Sequence, residues 1–361
     1  VSPNDYSLAL ILSGGNALGA YQGGAYQALH ERAFEPDWVS GASIGAINGA
    51  VICGNRREER LPHLQALWQP AQLDGHDGHM RTAEHGRRTM AAAASLLLGK
   101  AGFFAPRSIY GPLWNPLGNP EPPSLYDATP LRATLASLID FGLLNEGAPR
   151  FCATAVDIEN GDDIVFDTRR GVVTVEHLRA SSALLPAFSP VEIAGRLLGD
   201  AGISINLPLD VILREPPPQP LLCLAIDLLP LEGARPRTIG ETVSRAEDLL
   251  FATQSRRAIA AWQAIFAERA EHTPCPPVTL VHIAYSRQDE EVSGKAFDFS
   301  PTSAASRWAA GHDDVAAALD ELQTSDITGA RPGLTVMRLR PAGAAGMRLQ
   351  EVHWKLGPVA G

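Results

Sequence analysis

The sequence predicts an α/β fold on a mainly parallel, layered sheet, and three features carry that expectation. An apolar run at 8–12 leads into a glycine-rich turn, Ser13-Gly14-Gly15-Asn16-Ala17-Leu18-Gly19, and then into a helical pattern. About one βαβ unit later, Trp38-Val39-Ser40 meets Gly41-Ala42-Ser43-Ile44-Gly45 and a second helical pattern over 44–52. Strand-like and helix-like segments keep alternating through the second half of the chain, as a parallel sheet with crossover helices requires.

The elements follow in order. Residues 17–31 read as a helix, with Leu18, Tyr21, Ala25, Ala28 and Leu29 on one face, and Gly54-Asn55 stops the helix after Ser43. From 61 to 123 the pattern changes and reads as an insertion covering a cleft. Its parts are a short helix ending at Pro70, a polar, histidine-rich loop over 74–88, an apolar helical run over 90–98 and a proline-crowded stretch over 106–123. Residues 150–157 and 162–168 form a hairpin through Glu159-Asn160-Gly161-Asp162, with Asp157 and Asp163 stabilising the turn. A helix over 175–182 points toward the cleft. Buried strands are expected at 221–229 and 278–285, separated by a long helix over 239–271 with Leu249, Leu250, Trp262, Ile265 and Phe266 on its apolar side. Two helices, 301–310 and 313–323, and a late edge strand at 334–339 complete the reading.

The two glycine-rich turns carry chemistry. Gly-x-Ser-x-Gly between a strand and a helix is the setting of a nucleophile elbow: small neighbours permit a sharp bend, Ser43 projects into a cleft, and the helix N-terminus favours developing negative charge. In the first turn, successive small residues let the N–H groups of Gly14, Gly15 and Asn16 face one spot, as in an anion-binding nest. Leu18 stands where a phosphate loop places Lys or Arg, and no Gly-Lys-Ser/Thr follows, which argues against a nucleotide.

Residues 12–22 and 36–48 together resemble the bacterial patatin-like phospholipases. The resemblance extends through Ser124-Leu125-Tyr126-Asp127, Ser181-Ser182-Ala183-Leu184-Leu185-Pro186, Gly199-Asp200-Ala201-Gly202 with Asn206-Leu207-Pro208-Leu209, and Phe297-Asp298-Phe299-Ser300 with Arg307-Trp308-Ala309-Ala310-Gly311. It implies a three-layer α/β/α fold, with a catalytic part over 1–210 that includes the 61–123 insertion, and a C-terminal extension over 211–361 packed upon it. It also implies an acyl-ester hydrolase with Ser43 as nucleophile, Asp200 as its base and Gly14, Gly15 and Asn16 as oxyanion donors, needing no cofactor. Asn16 replaces the third glycine of the family turn, and asparagine tolerates positive φ. Ala201 replaces the commoner glycine after the aspartate, which its methyl permits unless φ is unusual.

A carboxylate with a pKa of about 3.9 is a weak base for a serine hydroxyl in water, so such a pair requires a cleft that partly excludes water. Three other uses remain open on the sequence: an acyltransferase sharing the acyl-enzyme, an acyl-binding protein without activity, and a three-member esterase drawing its base from His272, His282, His312 or His353. The histidines at 76, 79 and 85 suit two metal ligands, but no cysteine or carboxylate completes a zinc site.

Composition fits a large hydrolase. The 361 residues are 45% hydrophobic, enough for a substantial core, and a net charge of -10 argues against nucleic acid as a partner and against whole-molecule attraction to anionic membranes. Peripheral membrane contact must therefore be local, and Leu96, Leu97 and Leu98 are the candidates for it. Cys53, Cys152, Cys223 and Cys275 lie far apart and read as reduced thiols. Lacking a signal-like start or any run of about 18 apolar residues, the chain is expected in the cytoplasm.

Overall fold

The computed structural model describes residues 6–69, 81–107, 124–272, 275–323, 332–342 and 346–354. Its strands are β1 (Ser7–Leu12), β2 (Trp38–Ala42), β3 (Ala105–Pro106), β4 (Tyr126–Asp127), β5 (Arg150–Asp157), β6 (Asp163–Asp167), β7 (Val191–Ile193), β8 (Arg196–Asp200), β9 (Leu221–Asp227), β10 (Pro277–Ala284), β11 (Gly333–Pro341) and β12 (Met347–Glu351). The main sheet runs β12-β11-β10-β9-β1-β2-β5-β8-β7, with β6 also on β5. From β11 through β5 the strands are parallel, while β12, β6, β8 and β7 pair antiparallel.

The helices are α1 (Ala20–Glu31), α2 (Ile44–Cys53), α3 (Arg57–Trp68), α4 (Arg81–Leu98), α5 (Thr129–Leu138), α6 (Phe141–Asn145), α7 (Val175–Ser181), α8 (Asp210–Leu213), α9 (Ile239–His272) and α10 (Pro301–Gln323). They cover the sheet on both sides, and the alternation along β1 makes the two layers visible. Leu8, Leu10 and Leu12 join the core formed with α1, α2 and α10, whereas Ala9 and Ile11 join the core formed with α8 and α9. Three-layer α/β/α packing follows.

Several expectations change. Residues 211–361 do not simply pack on a finished unit, because β9 pairs directly with β1 and continues the same sheet. The helices expected at 301–310 and 313–323 are one, since Gly311 serves a helix crossing rather than a stop: a Cβ there would lie 1.9 Å from the Tyr21 carbonyl oxygen. The strand at 334–339 is not an edge. Polar 347–351 covers it, held by main-chain pairing that leaves little hydrophobic trace in the sequence.

The histidine-rich loop is helical from Arg81 on. Arg88 is fully buried against Glu84 (2.9 Å) and Glu291 (3.2 Å), the latter a partner two hundred residues away that no local pattern reveals. Residues 70–80, with His76 and His79, and 108–123, with most of the proline-crowded stretch, lie outside the described residues. Asp157 does brace its hairpin by accepting from Glu159 N at 3.1 Å, but Asp163 accepts from Ser204 Oγ at 2.7 Å instead. On α9, Trp262 and Phe266 are buried, while Leu249 and Leu250 are exposed.

Helices α1 and α10 cross at glycine contacts, where a Cβ on Gly24 would sit 1.8 Å from Trp308 O. Gly24→Ala should therefore destabilise by about 1–3 kcal/mol despite alanine's helix preference. Gly86 on α4, whose Cβ would meet nothing within 4 Å, should gain about 0.5–1 kcal/mol on substitution by alanine. Urea denaturation of the two variants checks both signs.

Candidate functional site

Strand register brings the sequence-predicted residues into one row. Leu12 pairs with Gly41, which sets Gly14 level with Ser43, and Ala42 pairs with Thr154, which sets Ser43 level with Ala155. Ala155 in turn pairs with Asp200 at the end of antiparallel β8. Four adjacent strands thus carry residues nearly 200 positions apart to one edge of the sheet.

Ser43 caps α2 with φ 54 and ψ -125, a conformation that costs a non-glycine residue, and it lines a mainly apolar cavity. The flanking glycines make the bend possible. A Cβ on Gly41 would lie 2.4 Å from Gly45 C, and one on Gly45 would lie 2.3 Å from Leu12 O. The Ser43 N–H donates to Ser181 Oγ at 3.1 Å, and Ser43 and Asp200 line the same cavity.

Asp200 is 2% exposed. Burial raises its pKa to about 6, against the lowering effect of the Ser43 hydroxyl and of the Gly202 N–H, which donates to Asp200 Oδ1 at 2.7 Å. The Asp200 N–H bonds Ala183 O at 3.0 Å, so the Ser181–Ala183 segment braces both members of the pair. Ala201 keeps an ordinary negative φ, and its methyl is accommodated.

In the glycine-rich turn Asn16 adopts φ 52, the left-handed conformation asparagine tolerates. The Gly14 N–H does not join the other two: it donates to Asn206 O at 3.0 Å. The N–H groups of Gly15 and Asn16 have no acceptor among the described residues. Gly14 is needed for close approach, since a Cβ would meet Asn206 Oδ1 at 2.5 Å and Ser43 Cβ at 3.1 Å. Asn206 also donates from Nδ2 to Gly14 O at 3.3 Å. The sequence contained this residue and Ser181 in recognisable motifs, but only the fold assigns them bracing work.

These groups line a cavity of 300 Å³ whose other walls are mainly apolar, with Ile47, Phe104, Leu131, Phe188, Phe251 and Phe297 among them. Its size and lining suit one hydrocarbon chain with a polar end. No histidine is among the described residues that line it. His282 is buried elsewhere, 3.3 Å from Asp227 and edge-on to Trp354, while His312 pairs with Glu31 at 2.8 Å.

The fold and this site define an α/β protein with a serine elbow opening on an acyl-sized apolar cavity. The chain belongs to the patatin-like phospholipase family, whose model matches residues 10–213. A second model, described as patatin phospholipase, matches residues 246–327. Proteins of Mycobacterium bovis and Mycobacterium tuberculosis, described as uncharacterized NTE family proteins, are 28% identical over 202 residues, 56% of this chain and 44% of theirs. The match thus spans less than half of those relatives' length. Among solved structures, VipD from Legionella pneumophila aligns with a TM-score of 0.42 at 14% identity, over 88% of this chain and 67% of VipD. The type III effector protein ExoU aligns at 0.38 and 16%, over 90% and 55%.

The burial of Asp200 has a measurable sign. Its folded pKa of about 6 exceeds the ordinary 3.8, so the native state holds the proton more tightly and stability declines as pH rises from about 4 to about 6. Asp200→Asn removes that penalty. The variant should be more stable than the wild type at pH 8, and urea midpoints should show the gain shrinking toward pH 4.

Proposed function

We propose that this chain is a serine acyl-ester hydrolase of the lipase or phospholipase type. One observation carries the reading: Ser43, held on a strained elbow, shares a mainly apolar cavity with the buried carboxylate of Asp200 and with Gly15 and Asn16, whose N–H groups have no acceptor among the described residues. Ser43 Oγ attacks the ester carbonyl while its proton passes to Asp200. The N–H groups of Gly15 and Asn16 receive the oxyanion, and the positive end of α2 adds to their field. Collapse expels the alcohol, which takes the proton from Asp200, and leaves an acyl group on Ser43. Water then attacks this ester, again losing its proton to Asp200. Release of the carboxylic acid returns that proton to Ser43. A carboxylate titrating near 6 is a better base than one near 4, and its burial in the unligated protein supplies the shift.

The lipid contact proposed for the protein is local. Leu97 and Leu98 on α4 are 74% and 77% exposed, and Leu250 on α9, which lines the cavity, is 65% exposed. The two helices adjoin the same opening: Gly294, just before cavity residues 295–297, lies against Ala92 of α4. This apolar rim supports contact with the neutral or zwitterionic lipid phase that holds the substrate.

Ser43→Ala should abolish ester hydrolysis and fluorophosphonate labelling. Asp200→Asn should cut turnover by about 10²–10⁴-fold, whereas no single histidine substitution should approach that. Wild-type kcat/KM should fall tenfold per unit below about pH 6, where Asp200 gains its proton. Labelling retained in the Ser43 variant, or a histidine variant as inactive as Asp200→Asn, would refute the assignment.

Replacing Leu96, Leu97 and Leu98 with serine should impair hydrolysis of aggregated lipid more than of soluble short-chain esters, with an unchanged melting temperature. Equal loss on both substrates with a lower melting temperature would instead give these residues a packing role.

A further inference from the structure

A guanidinium in the second half of the chain grips the glycine-rich turn of the first. Arg307 on α10 is completely buried, and each of its nitrogens has an acceptor. Nε and Nη2 form a bidentate pair with Glu291, both at 2.8 Å. Nη2 also donates to Lys295 O at 3.0 Å, and Nη1 donates to Asp298 O at 2.7 Å and to Ala17 O at 3.0 Å.

The Ala17 bond starts a relay of peptide planes. The carbonyl of Ala17 and the N–H of Leu18 belong to one peptide unit, and that N–H donates to Gly15 O at 3.1 Å. Gly15 O and Asn16 N–H form the next unit, whose N–H has no protein acceptor among the described residues. The sequence of groups is therefore guanidinium, peptide 17–18, peptide 15–16, and then the space beside Ser43. Each carbonyl polarised from behind makes the N–H of its own unit a stronger donor, and a low-dielectric setting reinforces the effect. The relay also sets direction, because both planes are pinned at their oxygens. A donor aimed at a developing oxyanion contributes only if it is already in place when charge appears.

We propose that Arg307 is a positioning residue for the acyl-transfer step, orienting and polarising the Asn16 N–H through these two peptide units. The proposal rests on the hydrolase reading given above. It links residues 291–307 to a site whose reacting groups all lie before residue 210. The same guanidinium holds the backbone of Lys295 and Asp298, which bracket the Ala296 and Phe297 wall of the cavity. One side chain therefore ties the substrate wall to the oxyanion turn.

Arg88 offers an internal control. It is equally buried and also pairs with Glu291, at 3.2 Å, yet its described partners, Glu84, Glu290, Glu291 and Ser306, all lie outside the glycine-rich turn. Arg307→Lys and Arg88→Lys are compared with the wild type on a soluble p-nitrophenyl ester, with active sites counted by exhaustive fluorophosphonate labelling. Arg307→Lys should lower kcat per labelled site by about 10–100-fold, leave KM within about twofold, and weaken an acyl trifluoromethyl ketone by the same factor as kcat. Arg88→Lys should lower the melting temperature while preserving kcat per labelled site.

Should Arg307→Lys fail to fold, the double variant Glu291→Gln/Arg307→Gln removes both charges together, so neither is left buried alone, and it should show the same kcat loss. Wild-type kcat per site in whichever Arg307 variant folds, or an equal loss in Arg88→Lys, would overturn the proposal. Wild-type hydrolysis that survives Ser43→Ala would instead overturn the underlying hydrolase reading, and the Ser43 variant alone reports that result.

Discussion

A methyl group on Gly45 would lie 2.3 Å from the carbonyl oxygen of Leu12, and most of the site depends on that contact remaining open. It lets the start of α2 settle against the end of β1, so the turns that follow β1 and β2 converge instead of diverging into separate loops. Gly41 permits the reverse bend of the same elbow, and Gly14 permits the approach of Asn206. Three close approaches that leave no room for a Cβ, two against backbone and one against the Asn206 and Ser43 side chains, set the distance between the serine and the glycine-rich turn.

Buried polar bonds hold that arrangement. Gln22 donates to Ser13 O at 2.8 Å, Asn48 donates to Gln22 Oε1 at 2.9 Å, and Trp68 donates to Asn48 Oδ1 at 2.9 Å, joining α1, α2 and α3 behind both turns. Ser13 Oγ accepts from Leu228 N at 2.9 Å and ties the first turn to the residue that follows β9. Inside a core, breaking any of these leaves a donor or acceptor without water, so the network resists local loosening. Asp200 is the exception. It is buried with a hydrogen bond from the Gly202 N–H and no cation among the groups that shift it, and its raised pKa expresses that imbalance.

The second half of the chain completes the molecule. β9 and β10 extend the sheet beyond β1, α10 seals α1 through glycine contacts, and the Arg88–Glu291–Arg307 cluster joins α4 to both. Burying three charges is costly, and the geometry compensates with a bidentate pair and main-chain acceptors. The cluster sits between the wall of the cavity and the turn that begins α1, where small displacements would be felt at the site.

Local chemistry made much of this legible from residue order alone. Apolar runs ending in glycine-rich turns marked β1 and β2, the Gly-x-Ser-x-Gly spacing marked the elbow, and the asparagine at position 16 was compatible with the left-handed turn it occupies, because these features depend on neighbours a few residues apart. Patterns needing distant partners were not legible. Arg88 fell in a stretch read as a polar, histidine-rich loop because Glu291 is two hundred residues away, and 301–323 read as two helices because Tyr21, which Gly311 meets, lies on another helix. Polar 347–351 was invisible as a strand because main-chain bonds, not apolar faces, hold it in the sheet. The commitment of the Gly14 N–H to Asn206, the bracing by Ser181 and the grip of Arg307 on Ala17 likewise exist only where strand register and helix packing bring remote backbone atoms within hydrogen-bonding reach.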